Sequence, residues 1–203
     1  STFLQRSYDQ LIHDVAMQNL KVIFAIDRAG FVGEDGESHQ GVFDTSFLNS
    51  VVGLTVYAPS TFDELEAMFY QGIYKTDGAV AIRYPRGGQF EIPVEYTYNH
   101  ENYTIIGNEN AKKCIVSYGR EFSECAKAYK NLSDTFLIKL NRIKPIDTSV
   151  VNTLKNCDTV YFFEESIKNG SVGETFASIL IENDVKAHFK HIAIDNQFVK
   201  QAS

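Results

Sequence analysis

Apolar positions along the chain follow two alternating patterns. Leu4, Tyr8, Leu11, Ile12, Val15 and Ala16 recur at helical spacing, which predicts a helix over about 3–18. Val22-Ile23-Phe24-Ala25-Ile26 then runs without a polar position, the pattern of a strand buried on both faces. Leu54–Ala58, ended by Pro59, is read as a second strand, and Ala79–Ile82 as a third, buried one. Between them Ser60, with Asp63 three residues on, predicts a capped helix that runs through Leu65, Met68 and Phe69 to about Tyr74. The periodicity lapses over 87–111, rich in Gly, Asn, Glu and Tyr, which is read as a linker with a short strand at Tyr103–Ile106. It then restarts, with strands at Lys113–Val116, Thr135–Leu140, Thr159–Phe163 and Ala187–Ile194. Helices at Glu121–Tyr129, Thr148–Asn156 and Val172–Asn183 alternate with them. Strands alternating with helices predict an α/β fold of mainly parallel sheets with right-handed crossovers, divided into two domains, 1–100 and 101–203.

In an open parallel sheet, ligands bind beyond the carboxyl ends of the strands. Three polar stretches fall there: 27–41, 59–60 and 83–88. Arg28 and Arg86 follow separate strands, and paired guanidinium groups make fork-like bonds to phosphate or carboxylate oxygens. Two readings stand: the arginines converge on a small anion, or Arg28 pairs with Asp27 or Asp35 and Arg86 is solvated. The loop 27–41 holds Gly30, Gly33, Gly36 and Gly41, four of the 13 glycines, so its backbone can turn sharply and approach a ligand. Asp35 and His39 lie within it, and the histidine either moves protons at neutral pH or orders its own loop. No G-K-[ST] follows, and the spacing is not that of a dinucleotide turn.

The remaining candidates are weaker. His13 sits beside Asp14 in a predicted helix and His100 in the linker. His188 and His191, three apart in a strand, face opposite sides and do not chelate together. Glu164-Glu165 is read as a solvated acidic turn at a strand end, and Cys114, Cys125 and Cys157 as small core residues.

Composition narrows the classes. Hydrophobic residues are 44% and charged residues 22%, which excludes a disordered chain. The formal net charge of −7 provides no general field for nucleic acid or an anionic membrane surface. The apolar runs are far shorter than a membrane span needs. Three widely spaced cysteines form no metal pattern and suit a reducing cytoplasm, and no metal site is expected in these residues. The chain begins at Ser1 and runs straight into a helical pattern, from which a segment of a longer polypeptide is expected.

Taken in order, several motifs carry a resemblance. They are Ser1–Arg6, Tyr8-Asp9-Gln10, Asp27-Arg28-Ala29-Gly30, Gly33-x-Asp35-Gly36-x-Ser38-His39-Gln40-Gly41-x-Phe43-Asp44, Ala58-Pro59-Ser60 and Arg83-Tyr84-Pro85-Arg86-Gly87. Together they resemble the 1-deoxy-D-xylulose-5-phosphate synthases, a thiamine-diphosphate family of the transketolase superfamily. The likeness continues more loosely through Lys144-Pro145-Ile146-Asp147, Glu164-Glu165 and Phe198-Val199-x-Gln201, and corresponds to the last third of such an enzyme. It implies most of a pyrimidine-binding domain over 1–100 and a transketolase C-terminal domain after it. It also implies a homodimer that decarboxylates pyruvate on thiamine diphosphate and joins the remaining two-carbon unit to D-glyceraldehyde 3-phosphate, for isoprenoid, thiamine and pyridoxal synthesis.

Carried over by motif, the resemblance implies that Phe3 stacks on the cofactor's aminopyrimidine and that Arg28 and Arg86 grip the acceptor's phosphate. Asp35 would hold the acceptor's hydroxyl end, His39 would assist proton transfer or orient the donor, and Arg83 would brace the loop. The family's pyrimidine-activating glutamate and its G-D-G…N signature for Mg²⁺ and diphosphate fall outside these residues, so half a site, inactive alone, is expected. Departures are Ser38 for threonine, Lys200 for proline, Ala202 for glycine, and Ile167-Lys168-Asn169-Gly170-Ser171-Val172-Gly173 for a more glycine-rich turn. Competing readings are a transketolase, the β-subunit of a 2-oxo acid dehydrogenase, or a non-catalytic dimerising module. Arg83-Tyr84-Pro85-Arg86-Gly87 argues against the first two.

Overall fold

The structure is a computed structural model that describes residues 1–202. The N-terminal apolar pattern winds in three ways: a 3₁₀ segment Thr2–Ser7, a single α-helical turn α1 (Tyr8–Gln10), and a π segment Leu11–Ala16. The regular helix expected over 3–18 is thus replaced by a distorted one. Leu11 is buried and Leu4, Tyr8, Ile12, Val15 and Ala16 pack on the core, so the winding follows the surface beneath it. The apolar runs become parallel strands β1 (Ile23–Ile26), β2 (Thr55–Tyr57) and β3 (Val80–Arg83). Strand β3 is buried along its length, but β1, expected to be buried on both faces, lies at the sheet edge with Ile23 and Phe24 half-buried and Ala25 exposed. A helix that the pattern did not foretell, α2 (Asp44–Ser50), lies between β1 and β2.

Helix α3 (Phe62–Tyr74) begins one residue later than expected. Thr61, not Ser60, is the cap: its hydroxyl accepts from the Glu64 N–H at 3.2 Å, while the Glu64 carboxylate accepts from the Ser60 N–H at 2.5 Å. At Gly72 the helix lies so close to β3 that a Cβ would sit 3.1 Å from Val80 Cγ1, which only glycine accommodates freely.

The second sheet contains β4 (Tyr103–Ile106), β5 (Lys113–Tyr118), β6 (Thr135–Leu140), β8 (Thr159–Ile167) and β9 (His188–Ile194), in the order β4-β6-β5-β8-β9. All its pairings are parallel except β4 with β6. Helices α4 (Glu121–Tyr129) and α5 (Val172–Glu182) cross over it. The helix expected at Thr148–Asn156 is a 3₁₀ segment, Thr148–Leu154, begun by Asp147, whose carboxylate accepts from the Ser149 N–H at 3.0 Å.

Both sheets are mostly parallel, giving the α/β class. The first has the order β1-β3-β2-β7, and its last strand, β7 (Arg142–Lys144), runs antiparallel to β2. Only Asn141 separates β7 from β6, so the chain leaves one sheet and joins the other within a residue. There Lys144 Nζ donates to the carbonyls of Leu48 (2.9 Å), Asn49 (2.8 Å) and Val51 at the end of α2, adding side-chain donors where the helix runs out of its own. One hydrophobic cluster runs through both sheets, from Val56 and Ala81 to Val116, Ile138 and Phe162. Each large apolar side chain buried there contributes about 1.5–3 kcal/mol relative to exposure.

Strand β8 is longer than the expected Thr159–Phe163, and it corrects the reading of Glu164-Glu165 as a solvated turn. Glu164 is buried inside the strand. Its carboxylate accepts from the Tyr118 hydroxyl at 2.5 Å and the Gly173 N–H at 3.0 Å, and lies 2.6 Å from His191 Nε2. Burial, reinforced by that carboxylate, pushes the Tyr118 hydroxyl well above its usual pKa. His188 and His191 do point apart, with His188 exposed. Among the described residues no helix is long and apolar enough to cross a membrane.

Candidate active site

The carboxyl ends of β1, β2 and β3 open toward a common rim. Past β1 the chain turns at Arg28, whose φ of 55° is left-handed, and enters the glycine-rich loop. Gly30 and Gly41 close the loop's base through reciprocal backbone bonds of 2.8 and 2.9 Å. Inside the loop the Gln40 side-chain oxygen accepts from the Val32 N–H at 2.9 Å. Thr2 ties the loop to the N-terminal segment, its hydroxyl lying 2.7 Å from the His39 carbonyl and 3.0 Å from that of Gln40.

Arg83, the last residue of β3, lies beneath this loop. Its Nε donates to both Asp44 oxygens at 3.0 and 2.9 Å, and its Nη2 reaches the carbonyls of Gly41 and Glu165, each at 3.4 Å. Burial alone would lower the Arg83 pKa; the Asp44 carboxylate and the Tyr118 hydroxyl more than offset it and raise it, so the guanidinium stays charged. Arg83 therefore braces the loop from within.

An open cleft of about 800 Å³ is lined by Phe3, by Ile23 to Arg28, and by Asp35 and His39. Phe3 is 54% exposed and presents its ring to this space, meeting the His39 imidazole edge-on at 5.2 Å. The His39 Nδ1 lies 2.9 Å from the Ser38 hydroxyl. A smaller cleft of about 310 Å³ shares Asp27 and Arg28 with the first and continues past Ser60, Tyr84, Arg86 and Phe90. Arg28 thus borders both spaces, and Arg86 lines the second. Arg86 Nη1 donates to Asp35 Oδ1 at 2.8 Å, and Arg28 pairs with its neighbour Asp27.

The structure therefore brings Phe3, Arg28, Asp35 and His39 to one cleft and joins Arg86 to them through Asp35. His13 and His100 lie elsewhere, and among the described residues no group of three or more His, Cys, Asp or Glu could hold a metal ion. Sequence reasoning passed over Asp44 as a side-chain partner, and over Arg120. The Arg120 signal was available, since Gly119-Arg120 follows β5 as Arg28 follows β1. Beside it the Glu121 carboxyl is pushed up to about 7, first by burial and then by the Glu165 carboxylate.

The family described as transketolase, pyrimidine binding domain, matches residues 1–89, and that described as transketolase, C-terminal domain, matches residues 102–203. The chain is 39% identical over 209 residues to a 1-deoxy-D-xylulose-5-phosphate synthase of Marinomonas sp. (strain MWYL1). It is 38% identical over 206 residues to that of Pseudoalteromonas translucida (strain TAC 125). In both cases the match covers 100% of this chain and 33% of the relative, so the chain spans about a third of their length. Among solved structures, a protein described as split gene transketolase, inactive beta4 tetramer, superposes with a TM-score of 0.83 at 20% identity, covering 98% of this chain and 66% of that one. At that identity the likeness speaks to the fold.

Proposed function

The chain belongs to the transketolase family, and from that premise we propose that it is the C-terminal part of a 1-deoxy-D-xylulose-5-phosphate synthase. In this reading residues 1–100 supply part of the pyrimidine-binding domain and 101–203 the C-terminal domain. The substrates are pyruvate and D-glyceraldehyde 3-phosphate. The observation that carries the reading is the placing of two arginines, from the ends of different strands, on the walls of adjoining clefts that also hold Asp35 and His39.

The residues present fit one end of thiamine diphosphate. Phe3 offers a ring with an open face on a cleft lined by Ile23, Phe24 and Ile26, a surface suited to a flat heteroaromatic ring. Diphosphate and Mg²⁺ would be held by residues outside this chain. When bound, the cofactor supplies the carbanion chemistry by which pyruvate loses carbon dioxide and its two-carbon remainder passes to an aldehyde.

The side chains divide the remaining work. Arg28 and Arg86 present forked donors to the acceptor's phosphate; both are about half exposed and held by carboxylates in pairs worth about 0–1 kcal/mol, so a dianion can displace them. Asp35, freed from Arg86, turns to the acceptor's hydroxyl groups. His39, fixed between Phe3 and Ser38, holds or delivers a proton at the acceptor's carbonyl oxygen. A homodimer in a reducing cytoplasm completes the reading, in keeping with three cysteines left as buried thiols.

The test is Arg86→Ala in the full-length protein. Loss of a charge-assisted phosphate contact should raise KM for glyceraldehyde 3-phosphate by about 30–150-fold, equivalent to about 2–3 kcal/mol, and leave KM for pyruvate within twofold. An unchanged acceptor KM would remove Arg86 from the site. Transfer of two-carbon units between sugar phosphates would make the parent a transketolase instead. Calorimetry of the 203-residue chain with thiamine diphosphate and Mg²⁺ should show no tight binding.

A further inference from the structure

Loop 28–41 faces the cleft on one side and rests on the carboxyl ends of the second sheet on the other. Arg120, directly after β5, donates through Nε to Glu165 Oε1 at 2.9 Å and through Nη2 to the same oxygen, while its Nη1 donates to the Phe31 carbonyl at 3.1 Å. Its guanidinium carbon sits 5.5 Å from the Phe90 ring centroid. Glu165, on β8, lies so near Gly30 that any Cβ there would overlap its Oε2, and its backbone carbonyl accepts from Arg83. The two side chains are only 18% and 11% exposed, and neither lines either cleft. A third tie comes from the C-terminal stretch, where Gln201 Nε2 donates to the Glu34 carbonyl at 3.2 Å and the Ala202 N–H approaches that of Gly33 at 3.5 Å.

We propose that Arg120 and Glu165 are positioning residues: a partly buried clamp in the second sheet that sets the placement of backbone 28–33 and so of Arg28 and Asp35 toward the acceptor phosphate. This rests on the reading of that cleft as the acceptor site. The chemistry favours arginine, because one planar fork serves Glu165 and the Phe31 carbonyl at once, whereas a lysine ammonium serves them poorly. The clamp touches no substrate. It acts by holding a glycine-rich segment that has few side-chain anchors of its own, and small displacements of binding groups carry large kinetic costs.

The test uses the full-length protein with Arg120→Ala, Arg120→Lys and Glu165→Gln, the last two guarding against simple misfolding of the first. Hydrogen exchange of peptides within 28–41 should quicken tenfold or more in Arg120→Ala and less in Arg120→Lys, while peptides of β5 and β6 keep their wild-type protection. KM for glyceraldehyde 3-phosphate should rise about tenfold, with KM for pyruvate within twofold. Unchanged loop exchange in all three variants overturns the clamp. So does faster loop exchange with an unchanged acceptor KM, if Arg86→Ala raises that KM. If Arg86→Ala leaves it flat as well, the acceptor-site reading is what fails, and the exchange of 28–41 alone decides whether the clamp exists.

Discussion

At the rim of the cleft, Arg28–Asp27 and Arg86–Asp35 leave their side chains between 28% and 51% exposed; behind it, Arg83–Asp44 and Lys139–Glu64 leave theirs between 0% and 5%. The same charge chemistry serves two ends. A hydrated pair holds its partners weakly and can exchange one anion for another. A buried pair has already been stripped of water, so removing either partner strands the other in a medium that does not tolerate it. Glu64 illustrates the second case. It sits at the start of α3, yet it meets Lys139 from β6 at 2.9 Å and accepts from Tyr96, joining the two halves of the molecule. Burial pushes the Lys139 pKa down against the opposing pull of Glu64. The contrast separates groups free to respond to a ligand from groups that hold the frame.

The largest effect is expected at Asp44→Ala, which leaves the Arg83 guanidinium buried and unpaired. Urea unfolding should show a loss of about 3–5 kcal/mol, and a loss below about 1 kcal/mol would erase the distinction between frame and rim. Glu64→Gln should cost somewhat less, and less at pH 9 than at pH 7. Without its partner Lys139 sheds its proton in the folded state while the unfolded chain keeps it, so stability rises with pH; a pH-independent cost would contradict this.

Glu121→Gln sharpens the picture further. In the folded protein the Glu121 carboxyl keeps its proton to about pH 7, whereas in the unfolded chain it loses it near its ordinary value of 4.5. The folded state therefore binds more protons between those values, and wild-type stability falls as pH rises through that window. The substitution should flatten the fall in Tm, measured calorimetrically from pH 4.5 to 8. The smallest effect is expected at Asp35→Asn, with stability changed by less than about 1 kcal/mol. A larger change would place Asp35 with the frame.

What could be read from the chain, and what could not, follows the range of the forces involved. The runs at 22–26, 54–58 and 79–82 announced strands because they are almost wholly apolar. Strand β3 is indeed wholly buried, but β1, at the edge of its sheet, lines the open cleft and leaves Ala25 exposed, because no neighbouring strand covers it. The three residues of β7, Arg-Ile-Lys, carry no such pattern, and their pairing with β2 is decided by a partner more than 80 positions earlier in the chain. Helix α2 was hidden because its few apolar residues, Phe47 and Leu48 among them, follow a glycine-rich loop without a clear period. Glu164 misled because two adjacent carboxylates look like a surface; the hydroxyl, imidazole and N–H that make its burial tolerable come from Tyr118, His191 and Gly173. In the site, Arg28, Arg86 and Arg83 followed from strand ends, but the carboxylates paired with Arg83 and Arg86 appear only once the chain is folded.

The crossing at Asn141 has a consequence for synthesis of the chain. Until residues 142–144 emerge from the ribosome, β2 has an unpaired edge and the end of α2 lacks the lysine that donates to its carbonyls. Nascent polypeptides that end before about residue 145 would hold a sticky, unfinished template. Two separately expressed halves divided near residue 100 would meet the same difficulty, and should recover a native state only when the later half donates its short strand in trans.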